Sequence, residues 1–161
     1  MGFDPGLATL GYGVIEKGKA YKPQMIDYGI VSTPKEENLA VRLCLLEEGI
    51  KQLIAKYKPE EIAVEELFFN KNVTTGINVA HARGVLLLTA VKECGKLFEY
   101  TPLQIKQALT GYGRADKHQI QAMVKSYLNL NAIPRPDDAA DALAVALCHA
   151  QTNKLGKLFS I

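Results

Sequence analysis

Gly2-Phe3-Asp4-Pro5-Gly6, followed by Leu10-Gly11-Tyr12-Gly13-Val14-Ile15-Glu16, is the stretch on which the fold turns. Phe3 ends an apolar strand and Pro5 and Gly6 stop it, so Asp4 stands where a strand edge meets solvent or ligand. An Asp before Pro-Gly can also do no more than open a turn, and three later carboxylates decide between the readings. Leu10 to Glu16 reads as a second strand, which Gly11 and Gly13 leave lightly packed and open to close backbone approach. Gly18 closes a hairpin. Tyr21 to Ser32 supplies a third strand, with Pro23 marking an edge or a bulge.

Beyond Pro34 the period changes. Leu39, Leu43, Leu46, Ile50, Leu53 and Ile54 recur at helical spacing, which predicts an amphipathic helix over Asn38 to Tyr57. Lys58-Pro59 breaks it, and Ile62 to Glu66 is a short strand whose continuous apolar start suits a central, buried position. A second long helix runs from about Gly76 to Cys94 and stops at Gly95, before a fifth strand, Lys96 to Tyr100. Pro102 to Leu109 and Ala115 to Leu128 are helical, and Pro134 and Pro136 precede a last helix to about Gln151. This order predicts an α/β fold, a mixed five-stranded sheet with helices on its faces.

The chain has 161 residues and is 48% apolar, enough for one globular domain covering 1–161. Nineteen basic residues against seventeen acidic ones leave a net charge of +2. If four acids are neutralised by metal, thirteen remain and the surplus is six, which favours an anionic partner. Cys44, Cys94 and Cys148 are odd in number and far apart, which predicts reduced, packed thiols rather than a disulfide framework or zinc ribbon. Val85 to Val91 is too short to span a bilayer, and a cytoplasmic location is expected, with no membrane partner.

Glu65 and Glu66 end the fourth strand, and alternation lets only one of them share the face of the site; Glu65 is the choice. Asp138 and Asp141, three apart, lie on one face of the last helix, continued by Val145 and Cys148. Carboxylates on an inward stripe are costly unless paired, protonated or bound to cations. Ala139, Ala140, Ala142 and Ala144 let that helix lie close to the sheet and bring its acids to Asp4 and Glu65. Asp137 is read as an acid that complements the helix start. Oxygen ligands without His or Cys suit Mg²⁺, with Mn²⁺ as a substitute. Two such ions about 4 Å apart are a common device for phosphodiester cleavage, one activating water and the other stabilising the leaving oxygen.

With Ala63-Val64-Glu65-Glu66, Phe68, Lys71-Asn72, Ala82-Arg83-Gly84, Tyr100-Thr101-Pro102 and Asp138-Ala139-Ala140-Asp141-Ala142-Leu143-Ala144 added to the first motif, the chain resembles a RuvC-type Holliday junction resolvase as far as about His149. The resemblance implies a ribonuclease H-like fold, a homodimer, and paired metal-dependent nicks placed symmetrically across a four-way DNA junction. It places the catalytic, metal-binding acids on Asp4, Glu65, Asp138 and Asp141. It places basic DNA contacts on Lys106 and Lys117 and an aromatic beside the site on Phe68, and it implies RuvA and RuvB as branch-migration partners; Lys71 and Arg114 are further DNA-binding candidates.

Lys106, Arg114, Lys117, His118 and Lys125 cluster after the fifth strand, where they either meet phosphates or form a solvated helix face. Of Phe68 and Phe69, one packs inward and the other stands at the rim, where it can stack on an unpaired base. Gly76, Ala80 and Gly84 form a small-residue ridge that packs either on a second copy or on the chain's own sheet. Only Met1, Gly2 and Phe3 precede Asp4, fewer than the about five residues of an ordinary strand. The natural strand therefore either starts upstream or is short and frayed, at some cost in stability. A ribonuclease H acting on RNA–DNA hybrids and a junction-binding module without catalysis are the alternatives. An actin-like nucleotide switch needs two lobes, and the chain is too short for them.

Overall fold

The sheet is built outward from β1 (Gly2–Asp4), which pairs antiparallel with β2 (Thr9–Lys17) and parallel with β4 (Ile62–Glu65). β3 (Pro23–Ser32) joins β2 antiparallel at one edge, and β5 (Leu97–Tyr100) joins β4 parallel at the other. The order is β3-β2-β1-β4-β5, a mixed sheet of five strands among the described residues. The structure is a computed structural model that describes the backbone of residues 1–66 and 73–159, and side chains up to residue 152 except those of 73 and 74. Three residues suffice for β1 because both of its edges are paired and Phe3 is fully buried.

Alternation along the strands divides the apolar residues into two cores. Phe3, Leu10, Val14, Ile62 and Val64 meet Leu46, Ile50 and Ile54 of α1 (Leu39–Tyr57) and Ala82, Leu86 and Ala90 of α2 (Val73–Glu93). On the opposite face Ala63 and Tyr100 pack with α3 (Pro102–Thr110), α4 (Lys117–Tyr127) and α5 (Asp137–Phe159), through Ile105, Leu109, Val124, Leu143 and Leu147. The helices thus lie on both faces of the sheet, as the residue pattern predicts.

Side-chain caps fix where the helices begin. The Asn38 side chain accepts from the Val41 amide, and Thr101–Gln104 and Asp116–Gln119 form capping boxes at α3 and α4. Asn38 and Ala115 therefore stand outside the helices that the sequence pattern assigned to them. α2 starts earlier than Gly76, and α5 continues past Gln151 to Phe159 because no proline interrupts the chain there. β3 starts at Pro23, since Lys19–Tyr21 forms a 3-10 turn in which Ala20 and Tyr21 take φ of 59° and 61°. The register slips between Val14 and Ile15, opposite Ile26, whereas Pro23 takes the first position of an edge strand.

α5 lies against the glycines of β1 and β2. A Cβ on Gly13 would stand 2.7 Å from Leu143 Cδ2, one on Gly2 would stand 2.6 Å from the Ala146 amide, and one on Gly11 would overlap the Asp138 carbonyl. The close approach read from Gly11, Gly13 and the alanines of α5 is thus present. Farther along α5, His149 holds Tyr100 Oη at Nδ1 and Glu61 at Nε2, both at 2.7 Å, which ties the helix to the end of β5 and to the residue before β4.

One expectation changes. Cys148 is buried and Cys94 partly so, but Cys44 is exposed rather than packed; all three are free. The Gly76–Ala80–Gly84 ridge does not pack along its length on the chain's own sheet: Gly84 is exposed, with nothing within 4 Å of a built Cβ. Ala82, Leu86 and Ala90 face the core instead, and Ile77, Leu88 and Val91 flank the outward side with about half of each side chain exposed. Among the described residues no helix is long and apolar enough to cross a membrane.

Candidate metal centre and nucleic-acid interface

Asp4 stands at the end of β1 on the face that Gly2 presents to α5, and the alternation of β4 puts Glu65 on that face with Ala63. Phe3 pairs with Val64, so the two acids end neighbouring parallel strands. The first turn of α5 crosses above them, at Gly11. Asp4, Asp138 and Asp141 each bring a carboxylate oxygen to a group in which all lie within 4.8 Å of one another. Glu65 falls outside that group, yet it is close enough for its charge to repel those of Asp141 and Asp4.

Electrostatics marks the cluster. Burial first, then Asp141, Glu65 and Asp138, push Asp4 up from 3.8 to about 8. Burial raises Glu65 too, with Asp141 adding to it and Lys106 opposing it. Asp141 is raised by burial and by Asp138 and Asp137, against the ammonium of Lys117. Like charges packed this tightly, with only oxygen donors, fit a hard divalent cation: its charge offsets the repulsion, and no softer ligand competes.

Lys117 lies 3.0 Å from Asp137 and 3.9 Å from Asp141, so it bridges α4 to the rim of the cluster. Asp137 is an acid in the first turn of α5, as expected, and it also serves three side chains: Lys117, Arg135 at 3.0 Å and Gln121 at 3.1 Å. Lys106 is half-buried beside Glu65, while Arg114, His118 and Lys125 are exposed. Phe68, Phe69 and Lys71 lie outside the described residues. Arg83 lies in the Ala82-Arg83-Gly84 motif, and nothing in its spacing signals the task it has in the fold. Its Nε donates to the Glu65 carbonyl at 3.5 Å and its Nη2 to Glu99, so α2 braces the ends of β4 and β5.

The sequence profile of crossover junction endodeoxyribonuclease RuvC matches residues 1–149. The chain belongs to the RuvC family. It is 54% identical to the crossover junction endodeoxyribonuclease RuvC of Clostridioides difficile, over 98% of this chain and 92% of that one. It is 51% identical to the RuvC of Alkaliphilus oremlandii, over 100% and 98% of the two chains. Among solved structures, Thermus thermophilus RuvC in complex with Holliday junction substrate superposes with a TM-score of 0.90 at 35% identity, covering 96% of this chain and 94% of that one. A yeast mitochondrial Holliday junction resolvase superposes with a TM-score of 0.74 at 13% identity and bears on the fold alone. The fold is ribonuclease H-like, and RuvC nucleases are metal-dependent hydrolases of phosphodiester bonds.

Proposed function

We propose that this chain resolves Holliday junctions in DNA recombination and repair, by symmetric nicking of two strands of a four-way junction. The observation that carries the reading is the convergence of Asp4, Asp138 and Asp141 within 4.8 Å, beside Glu65, in a chain of the RuvC family. Asp4, Glu65, Asp138 and Asp141 hold Mg²⁺, for which Mn²⁺ can substitute. Two bound ions supply an activated water and charge neutralisation at the scissile phosphate. The chain's own residues build the site: β1 and β4 fix two acids side by side, α5 lowers two more onto them, and the low-dielectric floor strengthens every charge there.

Lys117 and Lys106 flank the acids, and with Arg114, Lys71 and Phe68 they make the DNA-contacting rim. When a phosphate arrives, Lys117 can exchange part of its pairing with Asp137 for it, which keeps the cation paired in both states. Dimerisation through the outward ridge of α2 places two such sites across one junction, as two matched cuts require. RuvA and RuvB as partners follow from the family resemblance alone, and a cytoplasmic location from the short apolar runs of the sequence.

The test is cleavage of a labelled four-way junction, beside linear duplex and an RNA–DNA hybrid, with Mg²⁺ and with chelator. Paired nicks are expected in the junction only, and only with metal. Asp4→Ala and Asp141→Ala are expected to lose at least about a hundredfold in cleavage while still binding the junction. Cleavage of the hybrid with the junction spared would move the chain to the ribonuclease H reading. Binding without nicking would move it to a non-catalytic module.

A further inference from the structure

We infer that Thr33 and Arg42 are positioning residues that set Asp4 for metal, acting through the loop that follows it; the inference rests on the reading of Asp4 as a metal ligand. Thr33, the first residue after β3, is 6% exposed and makes three bonds. Its amide donates to the Ala8 carbonyl at 3.1 Å, and its hydroxyl donates to the Leu7 carbonyl at 2.6 Å. The same hydroxyl oxygen accepts from Arg42 Nε at 2.9 Å.

A hydroxyl has one proton, and here Leu7 takes it; the Arg42 N–H occupies a lone pair and so stops the rotor in that orientation. Two consecutive carbonyls of the 5–8 loop are thereby clipped to the end of β3, and α1 holds the clip from behind. The loop has little slack, since a Cβ on Gly6 would overlap the Thr9 carbonyl. Asp4, directly before this loop, must stay within 4.8 Å of Asp138 and Asp141 against their repulsion. β1 ends at Asp4, so the strand restrains it from one side only. The clip restrains it from the other side of the turn, as partners behind metal ligands do elsewhere.

The probe is Mn²⁺ alone, titrated calorimetrically into the full chain without DNA, with folding checked by circular dichroism. Thr33→Val keeps the side-chain shape but deletes both hydroxyl bonds, and about tenfold weaker Mn²⁺ binding is expected. Thr33→Ser restores the hydroxyl and should bind within about twofold of the native chain, a rescue that a mere packing role would not give. Arg42→Gln should weaken binding about threefold or more. Native affinity in Thr33→Val overturns the inference, as does Thr33→Ser weakened to the same degree; if Thr33→Val does not fold, native affinity in Arg42→Gln overturns it. Asp4→Asn separates the two layers: native affinity there removes Asp4 from the metal site and this inference with it, whereas lost affinity there beside native affinity in Thr33→Val removes the clip alone.

Discussion

Asp4 pays most for the way the acids are gathered, because it sits between Glu65 on the next strand and Asp138 and Asp141 above. Its ionisation moves from 3.8 to about 8, chiefly by burial. A carboxylate whose folded pKa lies above its unfolded one binds its proton more tightly in the folded chain. Stability is therefore lost as pH rises through the window between the two values, here from about 4 to 8, and the full cost applies above it. Without metal, Asp4→Asn should melt higher than the native chain at pH 8.5, by at least about 3 °C, roughly 1 kcal/mol for a chain of this size. The gap should close at pH 4 and narrow on adding Mg²⁺. An Asp4→Asn chain that melts no higher at pH 8.5 would show that the acids are not in repulsion. Lys106 and Lys117 belong to the same scale: each changed to Ala should weaken junction binding and reduce the slope of log affinity against log salt by about 1. An unchanged slope would remove that lysine from the phosphate contacts.

At the scale of elements, the site depends on how closely α5 lies on β1 and β2. Gly11 faces the Asp138 carbonyl so tightly that a methyl group there overlaps it. Gly11→Ala should therefore lift the first turn of α5, destabilise the chain by about 2 kcal/mol or more, and weaken metal binding as well. Wild-type melting in that variant would contradict the packing described. This placement was legible in the sequence: glycines alternating along β2, alanines along α5, and acids three apart at its start record it locally. The mixed, five-stranded sheet was legible too, since hairpin signals precede the first helix and one apolar run reads as central. What the sequence hid are contacts between distant elements. Thr33 with Leu7, Arg83 with Glu65 and Glu99, and Asp137 with Gln121 each join residues whose spacing carries no period. Cys44 misled for a related reason, because a cysteine is so often buried that its place on the outer side of α1 went unread.

For the whole molecule, the two-faced sheet puts Asp4, Glu65, Asp138 and Asp141 at one end and, among the described residues, leaves the outer side of α2 open. Ile77, Leu88 and Val91 stay about half exposed beside Gly84, where a close neighbour fits. If that side joins two copies, Leu88→Glu should give monomers in sedimentation, with junction cleavage falling from paired to single nicks. A dimer that persists would place the interface elsewhere. If acids from β1, β4 and α5 hold the metal against the scissile phosphate itself, sulfur substitution at that phosphate must change the metal requirement. Mg²⁺ prefers oxygen and Mn²⁺ tolerates softer ligands. A junction carrying a non-bridging sulfur at the cut site should be cleaved about a hundredfold more slowly than the oxygen junction with Mg²⁺, and Mn²⁺ should recover most of that loss. Equal rates on both junctions with Mg²⁺, or a loss that Mn²⁺ does not recover, would contradict the account.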